Sequence, residues 1–159
     1  MATLVKVGIA DLNVVKAPDS LISYALGSCV GICLYDNMAK VAGMSHILLP
    51  NKLDSDNNLM KFADTAIPML VDRMIRLGAK KPRITAKIAG GANMFSGMMR
   101  SASSKIGERN AEQVRETLRR MAIPILADDT GGTYGRTIEF SGETGILYVR
   151  SLANKDKTL

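Results

Sequence analysis

Histidine and cysteine are scarce in this chain, and their scarcity narrows its chemistry. A single histidine, His46, stands among 159 residues, and only two cysteines accompany it, Cys29 and Cys33. A zinc site would need further ligands, and Cys-x3-Cys with one histidine is a poor zinc spacing, so no metal is expected. A disulfide fails as well. If both cysteines lie in one extended strand, their Cα atoms stand about 13 Å apart, against the ~7 Å that a disulfide spans. Free thiols remain, which fits a reducing compartment. Tryptophan is absent and aromatics make up only 4% of the chain. The longest basic cluster, Lys80-Lys81-Pro82-Arg83, therefore has no aromatic neighbours on which bases would stack, and no nucleic-acid partner is expected. Long apolar runs are missing too. No stretch approaches the ~20 residues of a membrane helix, and Lys6 interrupts the first apolar run too early for a signal peptide. A soluble cytoplasmic protein with no membrane insertion is the expectation.

What is present is a globular composition, with 47% hydrophobic and 23% charged residues, enough for a packed core in one domain spanning residues 1–159. Ten methionines supply adaptable core filling. The formal charge of +6 favours acidic partners, and a solvated basic surface explains it better than a nucleic-acid groove does. Apolar, β-branched runs predict strands at 4–9, 13–15, 29–34, 40–49, 83–88, 123–127, 136–140 and 145–149. The last two flank Ser141-Gly142-Glu143-Thr144 and read as a hairpin. Phe62, Ala66, Met69, Leu70, Met74 and Leu77 recur at helical spacing up to Gly78, with Pro68 forcing either a kink or a start near Asp64. A second helix is predicted from a capping box of Asn110 and Gln113 through Val114, Leu118 and Met121, closed by Pro124. The expected class is α+β: two packed sheets, mostly antiparallel or mixed, with two or three helices on the outer faces. Strand order is not readable from these patterns.

The two thiols differ in setting. Cys33 sits between Ile32 and Leu34 and reads as core. Cys29 follows Leu26-Gly27-Ser28, where a small-residue turn feeds a strand. Glycine there admits a substrate closely, and backbone N–H groups of the turn would face an oxyanion. A thiol so placed needs a base, and His46 is the sole imidazole. It lies seventeen residues on, in Gly43-Met44-Ser45-His46-Ile47-Leu48-Leu49-Pro50, a gap that fits two neighbouring strands joined at Asp36-Asn37-Met38. The chemistry alone leaves two readings open: a nucleophile with its base, or two core residues. Gly90-Gly91 interrupts a strand and either punctuates the fold or shapes the site. Gly27, Ser28, Gly90 and Gly91 form the candidate substrate and oxyanion set.

Five stretches, in order, resemble the CheD family of chemoreceptor glutamine deamidases: 26–30 (LGSCV), 44–50 (MSHILLP), 86–95 (AKIAGGANMF), 106–110 (IGERN) and 128–132 (DDTGG). The resemblance implies a Cys–His–Thr constellation in which Cys29 is the nucleophile and His46 the base. Ser23, six residues before Cys29, stands where the family has threonine; it keeps the hydroxyl and loses the methyl that limits rotamers. It further implies glutamine side chains on the cytoplasmic helices of chemoreceptors as substrates, no cofactor, and a CheC-type phosphatase as a partner. The alternative is a non-catalytic module that holds such a phosphatase or receptor. An RNA-binding protein is a third reading, supported only by charge.

Overall fold

The computed structural model describes residues 1–94, 105–152 and 155–159; Phe95 of the third matching stretch lies outside them. In chain order the described elements are β1 (Leu4–Lys6), β2 (Asp11–Lys16), β3 (Ser20–Leu26), β4 (Val30–Asp36), β5 (Val41–Ile47), α1 (Ala63–Arg76), β6 (Ile84–Gly90), α2 (Ile106–Arg120), β7 (Ile125–Thr130), β8 (Arg136–Ser141), β9 (Leu147–Arg150) and β10 (Lys157–Thr158). They form two five-stranded sheets, ordered β1-β3-β8-β9-β10 and β2-β5-β4-β6-β7. Each sheet is mixed: β1 runs parallel to β3 and β6 to β7, and the remaining pairs are antiparallel. The expected two-sheet α+β architecture is present.

Three layers result. Every residue of β4 and β5 is buried, because the second sheet is covered on both faces. On one face Val30, Ile32, Leu34, Ile47 and Ile88 pack with Ala66, Leu70, Met74, Val114 and Leu118 of the helices. The alternate face carries Cys33, Tyr35, Ala42, Met44 and Ala89 against Leu21, Leu26, Ile138, Phe140 and Leu147 of the first sheet. Both helices thus cover the same outer face, α1 over β5 and β2, and α2 over β4, β6 and β7. Two glycines allow this closeness. A Cβ on Gly43 would stand 2.8 Å from Leu70 and 2.9 Å from the Met74 sulfur, and one on Gly31 would run into Ile138 of the facing sheet.

Several expectations shift in detail. The first helix starts at Ala63, close to the late start at Asp64, and carries Pro68 on its exposed side. The hairpin of β8 and β9 forms, in the register Phe140 opposite Leu147. The sequence patterns missed β3 and β10. The second helix begins at Ile106, four residues before the predicted cap, so Asn110 lies inside the helix and fully buried. It caps nothing, and its amide has another use.

Candidate active site

The site is built where β4 and β5 end together. These strands pair antiparallel with Gly31 opposite His46 and Val30 opposite Ile47, joined by the turn after Asp36. Cys29 lies two residues outside Gly31, just before the ladder begins, so the chain brings it to the strand end at which His46 sits. Gly31 has no side chain to stand between them. Both side chains belong to the layer between the sheets: Cys29 is part of that apolar cluster, and the His46 ring meets the opposite sheet. The burial differs usefully. Cys29 keeps 8% of its surface exposed, whereas His46 keeps 1%, so Cys29 is the more accessible of the two.

The opposite sheet contributes Ser23, from β3. Its hydroxyl lies 2.7 Å from His46 Nδ1 and donates to the Val7 carbonyl at 2.7 Å. A carbonyl only accepts and a serine hydroxyl has one proton. The proton on Oγ is therefore committed to Val7, and Nδ1 must carry the hydrogen that joins it to Oγ. That fixes the tautomer and leaves Nε2 as an unprotonated acceptor. Nε2 is buried and has no hydrogen-bond partner, a state that natural interiors rarely tolerate without a use for the atom.

Electrostatics make the pair neutral. Burial pushes the Cys29 thiol above its ordinary range, with its own backbone N–H opposing the rise. Burial also pulls His46 down to about 4. Both shifts disfavour charge, so a thiol faces a neutral imidazole at rest. Cys33 is sealed completely beneath β4 and its thiol is pushed far up by burial, which makes it inert core, as its flanks predicted.

The glycines divide. Gly27 and Ser28 form the bend before Cys29, with Met94 resting 3.5 Å from where a Gly27 Cβ would stand. Gly90 and Gly91 adopt positive φ of 111° and 63°, and a Cβ on Gly90 would collide with the Cys29 carbonyl. The Gly91 N–H donates to the Cys29 carbonyl at 2.8 Å and the Ala92 N–H to that of Gly27 at 2.9 Å. The Gly91 donor is thus already engaged with the Cys29 carbonyl, and both glycines shape the backbone around Cys29. A cleft of about 650 Å³ elsewhere, lined by Tyr24, Tyr134, Arg150 and Asp156 among others, contains none of Ser23, Cys29 and His46.

Sequence patterns overlooked one residue here. The Asn110 amide nitrogen donates to the carbonyls of Ser28 at 2.9 Å and Leu48 at 3.0 Å, the neighbours of Cys29 and near His46. Its presence in the stretch 106–110 was the available signal, but the local fit to a helix cap hid it.

Comparison with known proteins agrees with the resemblance. A family model described as CheD chemotactic sensory transduction matches residues 48–151. A protein of Caldanaerobacter subterraneus subsp. tengcongensis named "Probable chemoreceptor glutamine deamidase CheD" is 50% identical over 153 residues, covering 95% of this chain and 94% of its own. Proteins of the same name from Lachnoclostridium phytofermentans and Desulfitobacterium hafniense are each 48% identical, with all of both chains covered. Among solved structures, a Neisseria meningitidis protein of the DUF152 family superposes with a TM-score of 0.53 at 9% identity, over 83% of this chain and 65% of that one, which bears on the fold alone. On near-complete coverage at about half identity, together with the family model, this chain belongs to the CheD family.

Proposed function

We propose that this protein deamidates glutamine side chains of chemoreceptors, with Cys29 as nucleophile, His46 as base and acid, and Ser23 holding the imidazole. The observation that carries the proposal is the Ser23–His46 contact: it leaves His46 Nε2 bare and buried at the strand end that bears Cys29. A purely adhesive module has no use for that arrangement. The relatives' shared name supplies the substrate class. Partnership with a CheC-type phosphatase rests on the family resemblance alone.

With both groups neutral at rest, the thiol proton passes to Nε2 as the sulfur attacks the glutamine side-chain carbonyl carbon. The resulting oxyanion is met by backbone N–H groups at 27–29; that of Cys29 already lies against its own sulfur. The imidazolium formed in this step is stabilised through Nδ1–H by Ser23. It returns its proton to the amide nitrogen, the C–N bond breaks, and ammonia departs to leave a thioester. Neutral His46 then takes a proton from water, hydroxide adds to the thioester, and the proton goes back to sulfur as glutamate is released. The departed ammonia takes up the acid proton of the new carboxyl group, so one amide and one water become one carboxylate and one ammonium ion, and the enzyme is restored. Each turnover adds a negative charge to the receptor helix.

Mass spectrometry of a purified receptor cytoplasmic fragment incubated with the protein tests this directly. Glutamine should be converted to glutamate by wild type and not by Cys29→Ala. Cys33→Ala should lose about 1 kcal/mol of stability to a small cavity and keep most turnover. An active Cys29→Ala would sink the covalent mechanism.

A further inference from the structure

We infer that Asn110 is a positioning residue that sets the spacing between the Cys29 turn and the His46 strand, an inference that rests on the catalytic assignment above. The β4–β5 ladder ends at Val30 opposite Ile47. Beyond it the backbones part, and nothing in the ladder relates residue 28 to residue 48. The Asn110 side-chain amide has two protons, and each is given to one of these parting chains, to the Ser28 carbonyl at 2.9 Å and the Leu48 carbonyl at 3.0 Å. The orientation of the amide is unambiguous, since the reverse would set its oxygen against two carbonyl oxygens. Asn110 thus continues the strand pairing through a third element, just beyond the last ladder pair.

Two observations separate this from ordinary packing. Asn110 is fully buried, yet its Oδ1 has no partner. A buried acceptor left bare is destabilising, so the residue suits its two donors at the expense of stability. The helix is also placed to deliver it. Gly107, on the same face one turn earlier, lies where a Cβ would run into the Ala92 carbonyl; this close seat of α2 on the loop after β6 brings Asn110 over the strand ends. Displacing reacting groups by about 1 Å can cost a factor of about 10² in rate, and the two carbonyls are one peptide away from Cys29 and two residues from His46.

The test uses Asn110→Leu, which keeps the volume and removes both donors, and Asn110→Ala, which leaves space that water can enter. Both are compared with wild type and Cys29→Ala. Folding is followed by thermal melting, turnover by glutamine-to-glutamate conversion, and Cys29 reactivity by iodoacetamide alkylation against pH. In folded variant protein, kcat should fall about 10- to 100-fold with KM within about twofold, and the alkylation profile should shift relative to wild type. A merely structural residue would lower the melting temperature and leave kcat and the alkylation profile of the folded fraction unchanged; that result overturns the inference. Loss of the fold in both variants overturns it too, by making Asn110 structural. If Cys29→Ala retains turnover the catalytic assignment itself has failed, whereas inactive Cys29→Ala beside fully active Asn110 variants removes the positioning role alone.

Discussion

A serine hydroxyl has one proton, and at Ser23 the Val7 carbonyl takes it, which leaves the imidazole to supply the other hydrogen bond. Ser23→Ala should therefore release the His46 tautomer and strand Nδ1–H in the interior. Turnover is expected to fall about 10²-fold, and stability by about 1–3 kcal/mol. Ser23→Thr should hold both bonds and keep turnover near wild type; wild-type kinetics for Ser23→Ala would assign the hydroxyl to the fold alone. The burial of His46 has a separate signature in pH. Its folded pKa of about 4 lies below the ordinary 6.5, so between these values the unfolded chain takes up a proton that the folded chain refuses. Stability is then full above pH 6.5 and lost as the pH falls towards 4, by on the order of 3 kcal/mol. Melts across this window should show that loss in wild type and lack it in His46→Gln; identical slopes would contradict it. Asp36 does not blur the reading. Burial would raise its carboxyl, but Arg83 and the backbone N–H groups of Ala39, Lys80 and Met38 hold it down at about 2, so its effect appears only below its ordinary 3.8.

At the scale of elements, α2 is held against β6 through glycine. Gly107→Ala would set a methyl against the Ala92 carbonyl and the Gly91 backbone, neither of which can rotate away. A loss of about 1–3 kcal/mol is expected, with turnover reduced in the protein that stays folded, because the helix carries Asn110. A change in melting within ~0.5 kcal/mol would mean that the helix can shift freely. The same scale shows what sequence patterns reveal and what they hide. β4, β5 and the final hairpin were legible because buried strands concentrate β-branched and aliphatic residues. Cys29 and His46 were legible because they are scarce. β3 was not: Ser20, Ser23 and Ala25 thin its apolar pattern, and a register shift between Ser23 and Leu26, with Ala25 at a φ of 56°, breaks the alternation. The strand that carries Ser23 was thus among those whose periodicity failed. Asn110 was misread for a related reason. An asparagine near a helix start fits a local rule, while its actual partners lie 82 and 62 residues away in the chain.

For the molecule as a whole, the formal charge of +6 should act on encounter more than on chemistry. Against an acidic receptor fragment, kcat/KM should fall as salt rises while kcat changes little, since exposed charges are screened beyond about 8 Å at physiological ionic strength. A flat profile from low to high salt would mean that the basic surface only solvates the protein. No helix among the described residues is long and apolar enough to cross a membrane. The position of Ser23 and His46 on opposite sheets has one more consequence. Their hydrogen bond bridges the gap between the sheets, so Ile138, Phe140 and Leu147, which fill that gap, act as shims in a calibrated joint. A methylene removed from one of them changes the clearance at a distance. Turnover should then register a thinning of the interior that a melting curve barely detects, and the enzyme serves as a gauge of its own sheet spacing.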